Sequence, residues 1–486
     1  MEEKYKKETV TVSRSAWFTL TILSSTLLTV FFSETMLLPA IPEIMDDFEI
    51  SFGTAAWIFS GYMIVAAVMT PIAGKMSDVY GKKKILLTLL IIYISGTIIG
   101  VFANDISILL ISRLLQGVGL AAVPAAFSLV RESFPPAKIA IAIGVFGSAY
   151  SAGSVVGLMA GASIIQNFGW NTTFFFIAPV AALVTFLIAR FVKEGNIQEH
   201  LEPATESSLK KPSIDIKGAL ALSATIIAFL IGLTLVQVGI GSENVPQIAT
   251  AFTASLISLA VFTFIEKRVA SPLVDFRLLK DKILQPSYII LMATGIVMFL
   301  AYPAIVQLVR SPVPLGFGGS AVDAANVQLP FMIMFLVFAA TTPFIINRMG
   351  NIKPIIIGAI ITLIGSIGLL MFHATELEVT VTLAIVAAGL SLANLSAWNV
   401  VITKSPMQFI GVSTGVGALL LFIGMSIGPT LAGVYMADYE TIRGVDGSYP
   451  SPGSYDLVFL TSGLLSATCL AFALILKKRV TRIIAD

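Results

Sequence analysis

Two ionisable residues stand where ionisable residues are costly. Glu34 and Arg113 are the only formal charges inside fourteen long apolar runs of this 486-residue chain. A central Arg costs at least ~2.5–3.5 kcal/mol on membrane-insertion scales, so it must face a cavity and find a partner. Two readings of Arg113 are open: electrostatic coupling to a titrating acid, or structural hydrogen bonds to backbone carbonyls. Glu34 has two readings as well. It binds a proton and a cationic solute in competition, or it sits solvated near the mouth of the bundle, since Pro39 marks the end of its run. At ~4 Å and an effective dielectric of about 20, one charge pair is worth ~4 kcal/mol, enough to couple two such groups. Gln116, Gly117 and Leu120 follow Arg113 by three, four and seven residues and share its helical face.

The runs that must position these residues are long enough to span a bilayer, which takes roughly 20 apolar residues. In order, as helices 1 to 14, they are 15–38, 54–73, 85–103, 106–130, 139–165, 172–189, 218–240, 245–265, 283–309, 324–346, 354–375, 379–403, 405–437 and 457–476. Composition agrees: 56% of residues are hydrophobic, 12% are charged and mean hydropathy is +0.92, where a soluble domain carries about 25% charged residues. Runs of this length in lipid are helices, because each backbone polar group must bond within its own segment. β-barrel strands are about half as long and alternate in polarity. The expected class is an all-α membrane protein.

Orientation follows from the basic residues. With the N-terminus in the cytoplasm, inside segments hold 27 of the 30 Lys and Arg. Outside loops hold only Arg310 and Arg443, and are instead acidic, with Glu43, Asp46, Asp47 and Glu49 after helix 1. Both termini are expected to be cytoplasmic. The first apolar run follows a basic head (Lys4, Lys6, Lys7, Arg14) and is too long for a signal-peptide core, so no cleavable signal is expected.

Several functions are disfavoured. One cysteine, Cys469, and two distant histidines, His200 and His373, offer neither a disulfide framework nor a metal site. A net charge of +2 gives no basic field for nucleic acid. No G-x-x-x-x-G-K-[ST] loop for ATP is present. A membrane enzyme would need a cluster of acids, histidines or cysteines near one face, and none is visible.

The chain repeats itself. Asp78, Gly81 and Lys84 after helix 2 recur as Asn347, Gly350 and Lys353 after helix 10, each 269 residues on. Gly153, Gly157 and Gly161 in helix 5 recur as Gly424, Gly428 with Pro429, and Gly433 in helix 13; Gly424 follows Gly153 by 271 residues. Glycines spaced by four give a smooth face for close helix approach, and Gly428-Pro429 is expected to bend helix 13. The simplest account is a six-helix half at 1–193, a cytoplasmic linker at 194–217, two inserted helices at 218–265, a cytoplasmic connector at 266–282 and a second six-helix half at 283–486. Duplicated halves around a central site are a transporter signature.

On these residues the sequence resembles the major facilitator superfamily, and within it the fourteen-helix drug:proton antiporter branch, over essentially its whole length. Gly74, Asp78, Gly81, Lys82 and Lys83 look like the family's G-x-x-x-D-(R/K)-x-G-(R/K)-(R/K) loop, with Val79 where a basic residue is usual. Arg113, Gln116, Gly117 and Gly119 are similar to R-x-x-Q-G-x-G. The helix 5 glycines look like the antiporter pattern G-x-x-x-G-P-x-x-G-G, with Leu158 for the proline and Ala162 for the last glycine. Glu34-Thr35 with Leu38-Pro39 is similar to the branch's helix 1 pattern.

The resemblance implies the major-facilitator fold, a monomer in the cell membrane, and proton-coupled export of small amphipathic or cationic compounds by alternating access. The energy source is then the proton gradient, with no cofactor, metal or nucleic acid partner. Glu34 and Arg113 would couple protons, and Asp78 would dock on a helix start in the other half to hold the cytoplasmic side closed. Tyr62, Gln116, Tyr150, Tyr302, Gln307, Asn394 and Trp398 would line the substrate cavity. The departure at Leu158 keeps a proton-coupled importer or metabolite carrier open, and a non-transporting sensor is a further alternative.

Overall fold

With no water in a bilayer core, the apolar runs close into helices whose backbone bonds are internal. The computed structural model describes residues 12–135, 138–192, 215–237, 244–269, 272, 274, 276–405, 410–437, 439–441 and 448–485. Among them are 14 helices long and apolar enough to cross a membrane, one on each of the expected runs. Helices 1 to 6 are Arg14–Thr35, Phe52–Tyr80, Lys82–Val101, Ile106–Leu120 continued by Ala122–Ser133, Ile139–Phe168 and Asn171–Phe191. Helices 7 and 8 are Ile216–Gln237 and Val245–Glu266. Helices 9 to 14 are Leu284–Arg310, Ala321–Met349, Ile352–Met371, Glu376–Lys404, Ile410–Tyr435 and Pro452–Ala485. An even number of crossings puts both ends of the described chain on one face, called here the termini face.

Two local features differ from the sequence reading. Helix 1 stops at Thr35, and the chain turns through Leu38–Ala40 into a short helix, Ile41–Phe48. The acidic segment is therefore helical rather than a loop, because Ile41 and Ile44 are buried on one side while Asp46 and Asp47 stay on the other. Between helices 13 and 14, β1 (Tyr439–Thr441) pairs antiparallel with β2 (Ser448–Pro450). The connector after helix 8 folds back, with Val274 and Leu278 buried and Phe276 packed edge-on to Phe262 at 6.4 Å.

Glycine decides which helices touch backbone to backbone. A Cβ added at Gly153 would lie 2.6 Å from the Leu28 carbonyl oxygen, and one at Gly157 would enter the Phe32 backbone. Helix 5 thus lies directly on helix 1. Helix 13 lies on helix 9 in the same manner: a Cβ at Gly424 would lie 3.0 Å from the Met292 carbonyl carbon, and one at Gly428 would lie 2.7 Å from the Leu300 nitrogen. The same pair of helices meets in the same way eight helices later. Helices 7 and 8 pack on each other and turn Leu256, Ile257 and Phe264 outward, as a lipid-facing surface should.

Contacts between the first six and last six helices are of another kind. Ser60 of helix 2 donates to the Ser426 carbonyl at 2.7 Å and meets the Thr430 hydroxyl at 2.8 Å. Tyr150 of helix 5 meets Phe335 of helix 10 edge-on at 6.3 Å. On the far face, Arg310 at the end of helix 9 pairs with Glu43 at 2.6 Å and donates to the Pro39 carbonyl at 3.3 Å. The next loop is itself tied down, with Phe317 N donating to Leu308 O at 3.1 Å and Gly319 N to Val309 O at 2.8 Å.

Gly153→Val should therefore lower the thermal unfolding midpoint of the purified protein in detergent, by the ~1–3 kcal/mol typical of overpacking. Gly74→Ala should leave it unchanged, because an added methyl there meets open space.

Candidate functional site

Helix 4 comes close to helices 2 and 3 because it has no bulk where they meet. A Cβ at Gly117 would lie 3.0 Å from Val65 Cβ and enter the Tyr62 backbone, and one at Gly119 would lie 2.6 Å from the Tyr93 ring. Arg113 is fully buried. Its Nε donates to the Ile58 carbonyl at 3.2 Å. Its Nη1 donates to the Ser33 carbonyl and to Gln116 Oε1, both at 2.8 Å. Gln116 Nε2 donates onward to Thr97 Oγ1 at 3.0 Å. The Tyr62 ring lies 4.4 Å from the guanidinium carbon, a cation–π contact.

Helix 1 is held from three neighbours at once. Tyr62 of helix 2 donates to the Val30 carbonyl at 3.0 Å, and Tyr93 of helix 3 donates to the Thr29 carbonyl at 3.2 Å and hydrogen-bonds the Ser33 hydroxyl. Arg113 of helix 4 takes the Ser33 carbonyl. That carbonyl lies in the last turn of helix 1, where the helix leaves acceptors open and a cation is favoured. Of the two readings of Arg113, the hydrogen bonds to carbonyls are present. Among the described residues Arg113 forms no ion pair, although Glu34 lies within electrostatic reach of it.

Glu34 is 1% exposed, so the solvated reading does not describe this conformation. Among the described residues neither carboxylate oxygen has a hydrogen-bond partner. Its neighbours are anchored instead: Ser33 to Arg113 on one side, and Thr35, whose hydroxyl donates to the Ser154 carbonyl of helix 5 at 2.8 Å, on the other. Tyr150 and Tyr302 are within electrostatic reach of Glu34. A run of rings crosses the bundle beside it. Phe31 meets Tyr150 at 4.2 Å, Tyr150 meets Phe335, Phe335 stacks on Phe331 at 6.3 Å, and Phe331 meets Tyr302 at 5.2 Å.

The other residues singled out in the sequence separate from this centre. Gln307 reaches Ser311 near the far face, and Ser311 meets Tyr455 of helix 14. Asn394 donates to Thr294 Oγ1 at 2.8 Å, between helices 12 and 9, and Trp398 stands against Gly417 of helix 13. In the loop after helix 2, Gly81 has φ +97° and Gly350, at the repeat position, has φ +77°, a region in which a Cβ is strained. Lys82 pairs with Glu132 at the end of helix 4, and Lys83 Nζ donates to the Ala189 carbonyl of helix 6 at 2.8 Å. The side chain of Asp78, and so its expected docking, lies outside the described residues. Sequence reasoning passed over Tyr93, Thr97, Gln328 and Arg310. Only Arg310 carried a signal, as one of two basic residues on the acidic side of the bundle.

Lysine cannot reproduce a planar fork that reaches three acceptors. Arg113→Lys should therefore lower the thermal unfolding midpoint in detergent, at a cost of about 1–3 kcal/mol for each buried acceptor left without its donor. An unchanged midpoint would show that the carbonyl bonds do not hold helix 1.

The Major Facilitator Superfamily profile matches residues 23–429. Among curated proteins, the chain is 27% identical over 417 residues to Multidrug resistance protein 3 of Bacillus subtilis (strain 168), covering 84% of this chain and 77% of that one. It is 26% identical over 427 residues to the Tetracenomycin C resistance and export protein of Streptomyces glaucescens, covering 87% and 76%. It is 24% identical over 425 residues to the Quinolone resistance protein NorB of Staphylococcus aureus (strain MRSA252), covering 84% and 86%. Among solved structures, the human organic anion transporter TETRAN superposes with a TM-score of 0.62 at 16% identity, over 95% of this chain and 99% of that one. The nucleoside transporter NupG superposes with 0.64 at 13%, over the same shares. A profile match over most of the chain, fourteen membrane-spanning helices and the same fold in solved transporters together make this chain a member of the Major Facilitator Superfamily, a multi-pass membrane transporter.

Proposed function

We propose that the protein exports small amphipathic or cationic compounds in exchange for protons, with Glu34 as the group that proton and substrate share. The observation that carries this reading is a buried carboxyl whose two oxygens have no partner among the described residues, beside a run of aromatic rings. A buried carboxylate without a partner is costly and takes up a proton or a cation instead. The rings offer apolar bulk and π faces that suit an aromatic cation. Three curated relatives bear names of drug resistance or export, which favours outward movement of such compounds.

The halves at 1–193 and 283–486 are the moving bodies of this reading, with helices 7 and 8 carried alongside. The distribution of basic residues puts the termini face in the cytoplasm. Arg310 with Glu43 and Pro39 then closes the outer side, and the described conformation is one that does not open outward. Asp78 is proposed to hold the cytoplasmic side in the opposite state. Arg113 is proposed to act on Glu34 through its charge and through its hold on helix 1.

Reconstitution in liposomes with an imposed pH gradient tests this. The wild type should accumulate ethidium against its gradient when protons flow the opposite way. Glu34→Gln should lose that accumulation, by about tenfold or more if a step worth ~1.4 kcal/mol is removed, while retaining counterflow without a gradient. Unchanged proton-driven accumulation by Glu34→Gln would remove Glu34 from the mechanism.

A further inference from the structure

We propose that Gln328 of helix 10 accepts a hydrogen bond from the substrate, opposite the carboxyl of Glu34, and so selects cations that carry N–H groups. The proposal rests on the export reading above and names its substrate class more narrowly.

Gln328 is 1% exposed, and its Nε2 donates to the Tyr302 carbonyl of helix 9 at 3.2 Å. Only the NH2 end of an amide can face a carbonyl oxygen, so this bond fixes which way the side chain is turned. Oε1 is then the free end, and it has no partner among the described residues. A buried amide oxygen without a donor is uncommon in a native protein and calls for an explanation.

Helix 5 measures where this oxygen stands. Tyr150 meets Phe335, and the two helices run in opposite directions. Seven residues along helix 5 from Tyr150 is Gly157; seven residues back along helix 10 from Phe335 is Gln328. At 1.5 Å per residue both lie about 10 Å beyond the ring pair, toward the far face. Gly157 rests on Phe32 and Gly161 on Met36, so Glu34 lies between them, about 3 Å beyond that level. Gln328, Phe331, Met332 and Phe335 recur at helical spacing and form one buried stripe of helix 10. Tyr302, which holds the amide, is within electrostatic reach of Glu34.

Among the described residues Arg113 leaves one unpartnered donor, Nη2, while Glu34 leaves two unpartnered acceptors and Gln328 one. A ligand that satisfies the Gln328 oxygen must donate. A cation without N–H groups meets the charge of Glu34 and the rings but leaves Gln328 unpaired.

Two aromatic cations separate these cases. Ethidium carries two aryl NH2 groups, and tetraphenylphosphonium carries no N–H. Binding of each to the purified full-length protein in detergent should be compared in wild type, Gln328→Leu and Gln328→Glu. Gln328→Leu should weaken ethidium about tenfold or more and tetraphenylphosphonium less than about twofold, since losing one buried hydrogen bond is worth ~1.4 kcal/mol. Gln328→Glu keeps the acceptor and should hold ethidium within about threefold of wild type. Equal losses for both cations, or no loss for either, overturn the role of Gln328 and leave the export reading standing. A wild type that binds neither cation overturns the export reading and this proposal with it.

Discussion

The buried guanidinium of Arg113 sets the rest of the site. A full charge removed from water is costly unless its donors are met and its field is answered. Carbonyls of helices 1 and 2 and Gln116 take Nε and Nη1, the face of Tyr62 meets the guanidinium carbon, and Nη2 has no partner among the described residues. The carbonyl on helix 1 belongs to Ser33, immediately before Glu34. The residue immediately after, Thr35, is bonded to helix 5. Glu34 is thereby bracketed by two anchored residues while its own carboxyl is left open. Its backbone is rigid and its chemistry unspent, which is what a site needs if a proton or ligand is to complete it.

The same logic separates what is fixed from what can exchange. Helix 5 on helix 1, and helix 13 on helix 9, meet through glycines at distances that leave no room to slide. Such pairs behave as rigid units, because closely packed interfaces do not deform continuously. Between the first and last six helices the contacts are hydroxyl pairs, aromatic edges and the partly exposed ion pair of Arg310 with Glu43. The partly exposed ion pair is worth little and can be remade elsewhere. On the proposed cycle, motion is concentrated there: Glu34 and Tyr150 move together, and the contact of Tyr150 with Phe335 is the one that exchanges.

Much of this was legible in the sequence, for identifiable reasons. The lipid rule makes each span a run of apolar residues, so the fourteen helices could be read within a few residues at most ends. Glycine spacing in helices 5 and 13 carried the close packing, since only backbone contact demands a missing Cβ. Arg113 and Gln116 announced a site because a charge inside a span has no cheap explanation. Its partners were not legible. Which carbonyls a helix leaves open depends on where it ends, and helix 1 ends at Thr35, short of Pro39, before a second helix that carries Glu43. Gln328 was passed over because an uncharged amide in an apolar run costs little to place. It shows itself only when the Tyr302 carbonyl is seen to take one end of the amide. Arg310 looked like a lapse in the charge asymmetry until Glu43 stood opposite it.

Proton release on substrate binding tests the central claim most directly. Ethidium added to purified protein in weakly buffered detergent solution should release about one proton per molecule bound by the wild type, as linkage requires of two ligands competing for one carboxyl. Glu34→Gln should bind without releasing a proton. Equal proton release from Glu34→Gln would place the exchanged proton on another group and contradict the account.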